Sequence, residues 1–309
     1  MIRLDHREPI PESLRGAILA LGNFDGFHRG HQAVVGEAIA WAKAEGRPAI
    51  VATFDPHPMR HFRPDAAPFR LTSLDQRAEL FAAAGANAML VFHFDAEMAA
   101  MPAPLWAQGM ISQHIGAVGI VTGEDFTFGK GRGGNPQVLR DRGVATRTVA
   151  PVHDETGPIS SSRIRKALQA GDCAEATRLL TRPFTIRGTV QHGDKLGRTI
   201  GYPTANLDMG QYLRPIYGIY AVTGHLPGGR VVPGAANLGI RPSFDPPKEL
   251  LEPFFFDFAE DLYGQEIEVA LHHFLRPEAK FDTLTALTAQ MERDCAEARR
   301  LLGETFSTP

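Results

Sequence analysis

Up to Val149 the chain alternates short β-rich runs with stretches of helical period, and nothing else in it restricts the fold as strongly. Strands are expected over 17–21, 49–54, 88–92, 118–122 and 145–149. Helices are expected between them, over 32–44, 74–84, 104–114 and 136–141. This alternation builds a parallel sheet with helices on both faces, a doubly wound α/β domain. Ligands of such sheets bind beyond the carboxyl ends of the strands.

One or two further helices are expected over 160–180, broken at Ala170-Gly171-Asp172. Past Arg182-Pro183 the texture changes. Strand-like runs recur over 184–190, 217–223, 231–237, 252–258 and 267–274, with no long helix between them. That pattern favours an antiparallel, closed sheet, a β-barrel, and a helix over 284–302 follows it. A length of 309 residues suits about two domains. They are expected at 1–182 and 183–309, with no repeat between them.

Composition narrows the class. Hydrophobic residues make up 43% and charged residues 22%, the profile of a globular protein. The net charge of −3 argues against a broad basic surface for nucleic acid. No apolar run approaches the roughly 18 residues of a membrane span. The start, Met1-Ile-Arg-Leu-Asp-His-Arg-Glu, lacks the apolar segment of an export signal. Cys173 and Cys295 are too few for a disulfide framework or a Cys-rich zinc site. A cytoplasmic chain is expected, with no nucleic acid, no membrane and no obligatory protein partner.

The first chemical motif is Leu21-Gly-Asn-Phe-Asp-Gly-Phe-His-Arg-Gly-His31, between the 17–21 strand and the first helix. Gly22, Gly26 and Gly30 permit a tight turn and close approach to a ligand. The free N–H groups of the coming helix favour an anion. His28 and His31 are three residues apart, so both imidazoles can donate to one phosphate chain. Two other readings stand beside this one. The histidines are simply solvated, or Asp25, His28 and His31 ligate a metal.

A second element, Ile159-Ser-Ser-Ser-Arg-Ile-Arg165, offers helix-capping serines and the guanidinium groups of Arg163 and Arg165. Gly129-Lys-Gly-Arg-Gly-Gly134 has the letters of a dinucleotide fingerprint but does not follow a strand directly. It reads as a mobile, basic loop near the site.

The pair His-x-Gly-His and Ser-x-x-Arg resembles the signature of a nucleotidyltransferase superfamily. The string Gly22–His31 is similar to the FAD synthetase module of bacterial bifunctional riboflavin kinase/FAD synthetase. Thr53-Phe-Asp-Pro-His-Pro58 and Gly123-Glu-Asp-Phe-Thr-Phe-Gly129 match further segments of that family. The resemblance implies a nucleotidyltransferase fold for 1–182 and an ATP site made by Gly22, Phe24, Asp25, Gly26, His28, His31, Asp125, Ser162 and Arg165.

The second motif is Gly193-Asp-Lys-Leu-Gly-Arg-Thr-Ile-Gly-Tyr-Pro-Thr-Ala-Asn206. Gly193, Gly197 and Gly201 allow a loop that covers phosphates, and Lys195 and Arg198 add positive charge. Thr204 and Asn206 project the same way from an extended segment. A hydroxyl and an amide oxygen together suit Mg²⁺. A plain polar turn explains Pro203-Thr-Ala-Asn206 taken alone. The whole string resembles the riboflavin kinase signature, and Tyr217–Tyr220, Ala236–Phe244, Asp261–Gly264 and Phe274–Glu278 follow the family pattern in order.

That resemblance implies ATP and flavin binding by Gly193, Lys195, Gly197, Arg198, Gly201, Pro203, Thr204 and Asn206. It implies Mg²⁺ on Thr204 and Asn206, and Glu252, at the start of the 252–258 strand, as general base. Glu249 is the nearby rival. Ser243 replaces the usual Thr, and Phe254 the commoner His. The implied chemistry is riboflavin with ATP to FMN, then FMN with ATP to FAD and pyrophosphate, with His28 and His31 in the second step. Two rival functions are a flavin- or nucleotide-binding regulator with dead sites, and another His-x-Gly-His nucleotidyltransferase fused to an unrelated β domain.

Overall fold

The computed structural model describes residues 1–192, 202–241 and 248–307. The chain divides into two compact units. The first comprises Met1–Ala67 and Leu74–Ser160, the second Pro68–Ser73 and Ser161–Pro309.

The first unit holds a six-stranded sheet formed by β1 (Ile2–Asp5), β2 (Ile18–Leu21), β3 (Ala49–Phe54), β4 (Ala88–Phe92), β5 (Gly119–Gly123) and β6 (Ala145–Val149), in the order β1-β4-β3-β2-β5-β6. Every pairing is parallel. The alternation along β2 shows why both faces are covered. Leu19 and Leu21 face one core with Ile50, Leu90, Phe92, Trp106 and Ile111. Ile18 and Ala20 face the other with Val51, Met89, Val35, Trp41 and Phe81. Each fully buried Leu or Ile there contributes roughly 2 kcal/mol of burial free energy. The chain builds from β2 out to β4, then returns to lay β5 against the other side of β2. The order therefore reverses between β2 and β5, and the segments that leave their carboxyl ends flank the crevice.

Strand β1 was not expected. It has four residues, two of them exposed, and pairs Ile2–Asp5 with β4 at the sheet edge. The first helix spans Arg29–Ala44 and so begins three residues before position 32. The break at 170–172 is real: Ser161–Gln169 and Cys173–Leu180 are separate helices. Gly171 turns the chain at φ +80°, and the Asp172 carboxylate accepts the Glu175 N–H at 2.9 Å to cap the second helix.

The sheet of the second unit is wholly antiparallel. Its strands are β9 (Phe184–Thr189), β10 (Leu207–Asp208), β11 (Gly218–His225), β12 (Val231–Arg241), β13 (Lys248–Phe255) and β14 (Glu266–Pro277), ordered β10-β13-β12-β11-β14-β9; β7 (His153–Asp154) and β8 (Gly157–Pro158) form a small hairpin in the first unit. The Gln191 N–H donates to the Asn206 carbonyl at 2.8 Å and brings the two ends of the sheet together, so the barrel is nearly closed. Helix Leu284–Ser307 packs Ala298 and Leu302 on Ala221, Ala235 and Phe256. Arg276 of β14 grips Asp294 of that helix with both carboxylate oxygens, at 2.6 to 3.1 Å.

One strand differs from expectation in a way that matters for chemistry. β13 starts at Lys248, because residues 248–255 pair in unbroken register with Gly234–Arg241. It ends before Asp257, whose φ of 54° turns the chain. Glu252 is therefore mid-strand, and not at a strand start.

Candidate active sites

The loop after β2 is held in an unfavourable backbone conformation. Gly26 takes φ +86°, while Phe24 and Phe27 sit at φ 49° and 44°. Left-handed phenylalanines persist only where their surroundings fix them. Here helix Leu74–Ala83 does so. Phe81 meets Phe24 and Phe27 edge-on, with ring centroids 5.8 and 5.2 Å apart. One turn earlier, Arg77 donates to the Asn23 carbonyl at 3.2 Å and to the Thr53 hydroxyl at 2.7 Å, and it is only 1% exposed. Thr53 in turn donates to Asn23 O at 2.8 Å. Arg77 escaped the sequence reading. Its sole signal is a charged residue four positions before Phe81, on the buried face of the helix.

His28 is the N-cap residue of Arg29–Ala44, in extended conformation, and Gln32 N–H bonds back to its carbonyl at 2.9 Å. His31 thus lies in the first helical turn. The two imidazoles stack with centroids 3.6 Å apart and planes 22° from parallel. A Cβ at Gly30 would stand 3.2 Å from the His28 ring and 3.3 Å from Ile159 O, so glycine allows the stack to close. Asp25 is buried beside them in sequence. Asp125 follows β5, the neighbour of β2, and is exposed. Among the described residues no group of three or more His, Cys, Asp or Glu is placed to hold a metal, so the metal reading of Asp25, His28 and His31 finds no support.

Two segments named in the sequence make contacts of their own. The 129–134 stretch is pinned: Phe128 and Gly134 exchange backbone hydrogen bonds of 3.0 and 2.9 Å, and Lys130 N–H donates to Met101 O at 2.8 Å. Arg163 is ion-paired with Glu175. Ser162 and Arg165 belong to the second unit, where Ser162 is exposed and Arg165 Nε donates to Phe69 O at 2.9 Å.

A cavity of about 1250 Å³ opens in the second unit. Pro203, Thr204 and Asn206 enter it from the segment before β10, Asn237 and Arg241 from β12, and Glu252 and Phe254 from β13. Register explains one convergence: Asn237 and Glu252 are direct cross-strand partners. Gly193, Lys195, Gly197, Arg198, Gly201 and Ser243 lie outside the described residues.

The two candidate bases separate clearly. Glu252 lines the cavity and pairs with Arg241. Glu249 does not line it. It accepts the Tyr217 hydroxyl and, at 2.7 Å, Arg214 Nε. Burial raises the affinity of Glu249 for a proton, but these two hydrogen bonds outweigh it and hold its pKa below the usual value. Phe254 stands edge-on to Tyr202, 5.0 Å away, and helps form an aromatic wall of the cavity.

The donor set suits a hard cation. Thr204 and Asn206 offer a hydroxyl and an amide oxygen, and the buried Asn237 Oδ1 in the same cavity has no hydrogen bond among the described residues. Both thiols stay protonated at neutral pH. Burial pushes Cys173 up to about 12 and Cys295 up to about 11. No helix among the described residues is long and apolar enough to cross a membrane.

Comparison with known proteins covers both sites. Residues 10–163 match the family model for FAD synthetase, and residues 180–302 that for riboflavin kinase. The bifunctional riboflavin kinase/FMN adenylyltransferase of Escherichia coli (strain K12) is 38% identical over 294 residues, covering 94% of each chain. The Bacillus subtilis (strain 168) protein of the same name is 37% identical over 302 residues, also covering 94% of each. A solved structure described as a macrolide-efflux protein from Streptococcus pneumoniae aligns with TM-score 0.84 and 30% identity over 95% of this chain and 97% of that one. With both modules matched in tandem and relatives similar over nearly their full length, the chain belongs to the bifunctional riboflavin kinase/FMN adenylyltransferase family.

Proposed function

We propose that residues 183–309 transfer the γ-phosphate of ATP to the ribityl hydroxyl of riboflavin, and that residues 1–182 adenylylate the resulting FMN. In the first reaction Glu252 accepts the proton of the attacking hydroxyl. Thr204 and Asn206 would hold Mg²⁺, which supplies charge neutralisation on the phosphates when bound. Positioning carries most of such a transfer. In the second reaction an FMN phosphate oxygen attacks the α-phosphorus of ATP and pyrophosphate leaves. His28 and His31 hold the phosphates at the start of helix Arg29–Ala44, with Gly22, Phe24, Asp25 and Gly26 shaping the loop and Asp125 following the neighbouring strand β5.

The observation that most supports this reading is the meeting of Thr204 and Asn206 with Glu252, which is distant from them in sequence, in one cavity. The test is incubation with riboflavin, ATP and Mg²⁺, followed by separation of FMN and FAD. Glu252→Ala is expected to stop FMN formation and leave FAD synthesis from supplied FMN. The pair His28→Ala and His31→Ala is expected to do the reverse. FAD synthesis that persisted in the histidine variant would overturn the assignment of the first site.

A further inference from the structure

Arg241, the last residue of β12, closes an ion pair with the Glu252 carboxylate of the neighbouring strand. Its other terminal nitrogen lies 3.8 Å from Glu278 Oε1, and that same oxygen accepts the Asn237 amide at 3.3 Å. All four residues line the cavity. Gly239 leaves room for this arrangement, since a Cβ there would stand 2.1 Å from Glu278 Oε1. One guanidinium thus faces two carboxylates, and the more buried of the two is the base assigned above: side-chain exposure is 15% for Glu252 and 41% for Glu278.

The other charged groups around this cavity have partners of their own. Asp257 pairs with Arg299, Glu260 with Arg230, and Asp294 with Arg276. Asp261 accepts the Tyr263 N–H at 2.9 Å. Burial keeps the Cys295 thiol and the Tyr202 phenol protonated. Among the described residues, the positive charge set against Glu252 therefore comes from Arg241.

Phosphoryl transfer brings a polyanion beside this base. Repulsion from bound phosphates pushes an unrestrained carboxylate out of line, and a base acts only when it is held at the proton it takes. A guanidinium remains charged at every working pH and its planar fork restrains the carboxylate it grips. We propose that Arg241 is a positioning residue for riboflavin phosphorylation: it holds the Glu252 carboxylate aimed into the cavity while phosphates are bound, with Glu278 anchoring the far side of the guanidinium. This rests on reading Glu252 as the base.

The test is FMN formation by the full chain at one pH, read separately as kcat and as KM for ATP and for riboflavin, in the parent and in Arg241→Gln, Arg241→Lys, Glu278→Gln and Glu252→Gln. Arg241→Gln is expected to lower kcat about tenfold while both KM values stay within about twofold, because the base is misaimed and the substrates still bind. Arg241→Lys keeps the charge without the planar fork and recovers part of the lost kcat. Glu278→Gln loosens the far side of the guanidinium and lowers kcat by a smaller factor at unchanged KM, and it serves equally if Arg241→Gln fails to fold. Parental kcat in Arg241→Gln or Glu278→Gln overturns the inference, and so does a raised KM for ATP at parental kcat. Substantial turnover in Glu252→Gln would instead remove the underlying assignment of the base.

Discussion

Tyr217 donates its phenolic hydrogen to one oxygen of Glu249, while Arg214 donates to the other at 2.7 Å. This carboxylate is not among the residues that line the cavity. It joins the start of β13 to the chain just before β11. Glu249→Gln is accordingly expected to cost about 1–2 kcal/mol in unfolding free energy and to leave FMN formation near the parental rate. The cost should depend on pH. The folded pKa of Glu249 lies below its usual 4.5, so its stabilisation is complete above that value and disappears as pH falls through the lower folded one. Urea unfolding at pH 7 and pH 3.5 measures this. A deficit of equal size at both pH values would show that the charge is irrelevant.

Gly30 offers a separate handle on the stacked histidines. Gly30→Ala adds a methyl group 3.2 Å from the His28 ring and 3.3 Å from a backbone oxygen, Ile159 O. The backbone oxygen has little freedom to retreat, so the ring must tilt. Alanine is otherwise the better helix residue, so stability should be held or slightly raised. FAD formation from supplied FMN is expected to slow roughly tenfold through misplacement of the imidazole, with FMN formation unaffected. Parental adenylyl transfer in this variant would mean that the spacing of the rings is immaterial.

These two cases mark what a sequence can and cannot disclose. The doubly wound sheet was legible because residues such as Leu19 and Ile18 alternate between two buried faces over and over. The break at Gly171 was legible too, as a local signal with a local cause. Strand β1 was not, because an edge strand of four residues buries too little to leave a pattern. The place of Glu252 within β13 was obscured by the apolar run that follows it, Pro253–Phe256, which imitates a strand beginning at the glutamate. Arg77 and Arg241 escaped for a deeper reason. Their meaning lies in a carbonyl or a carboxylate delivered by a distant segment of the chain, and which segments meet is a tertiary fact.

Arg77 yields a prediction about folding as well as chemistry. Its guanidinium is buried and bonded to Asn23 O and Thr53 Oγ1, with Asp55 Oδ1 3.7 Å away. Arg77→Met keeps the volume and removes the donors. About 3 kcal/mol should be lost from the first unit, because polar groups arranged around a buried cation are left facing an apolar side chain. FAD formation should fall in step, since Asn23 begins the loop that carries Phe24 and Phe27 in their left-handed conformations. Denaturant unfolding and FAD assays on the same preparation check both parts. A variant of parental stability would show that packing of Phe81 alone holds the loop.

His272 governs how the barrel responds to acid. Its Nε2 lies 2.9 Å from Thr223 Oγ1 across the β11–β14 pair. Burial lowers its pKa from 6.5 to about 4, aided by the like charges of His273 and His225. The sign follows from proton counting. Between those two values the unfolded chain binds a proton that the folded chain refuses, so stability rises with pH across that window. It is complete above 6.5, begins to fall below it, and is lost in full by about pH 4. A shift of this size corresponds to at most about 3 kcal/mol at 1.36 kcal/mol per unit. Glutamine can still bond Thr223 but does not titrate. Between pH 7.5 and pH 4.5 the parent should therefore lose roughly 2 kcal/mol more unfolding free energy than His272→Gln. Equal losses in the two proteins would show that His272 is protonated as readily in the barrel as in the unfolded chain.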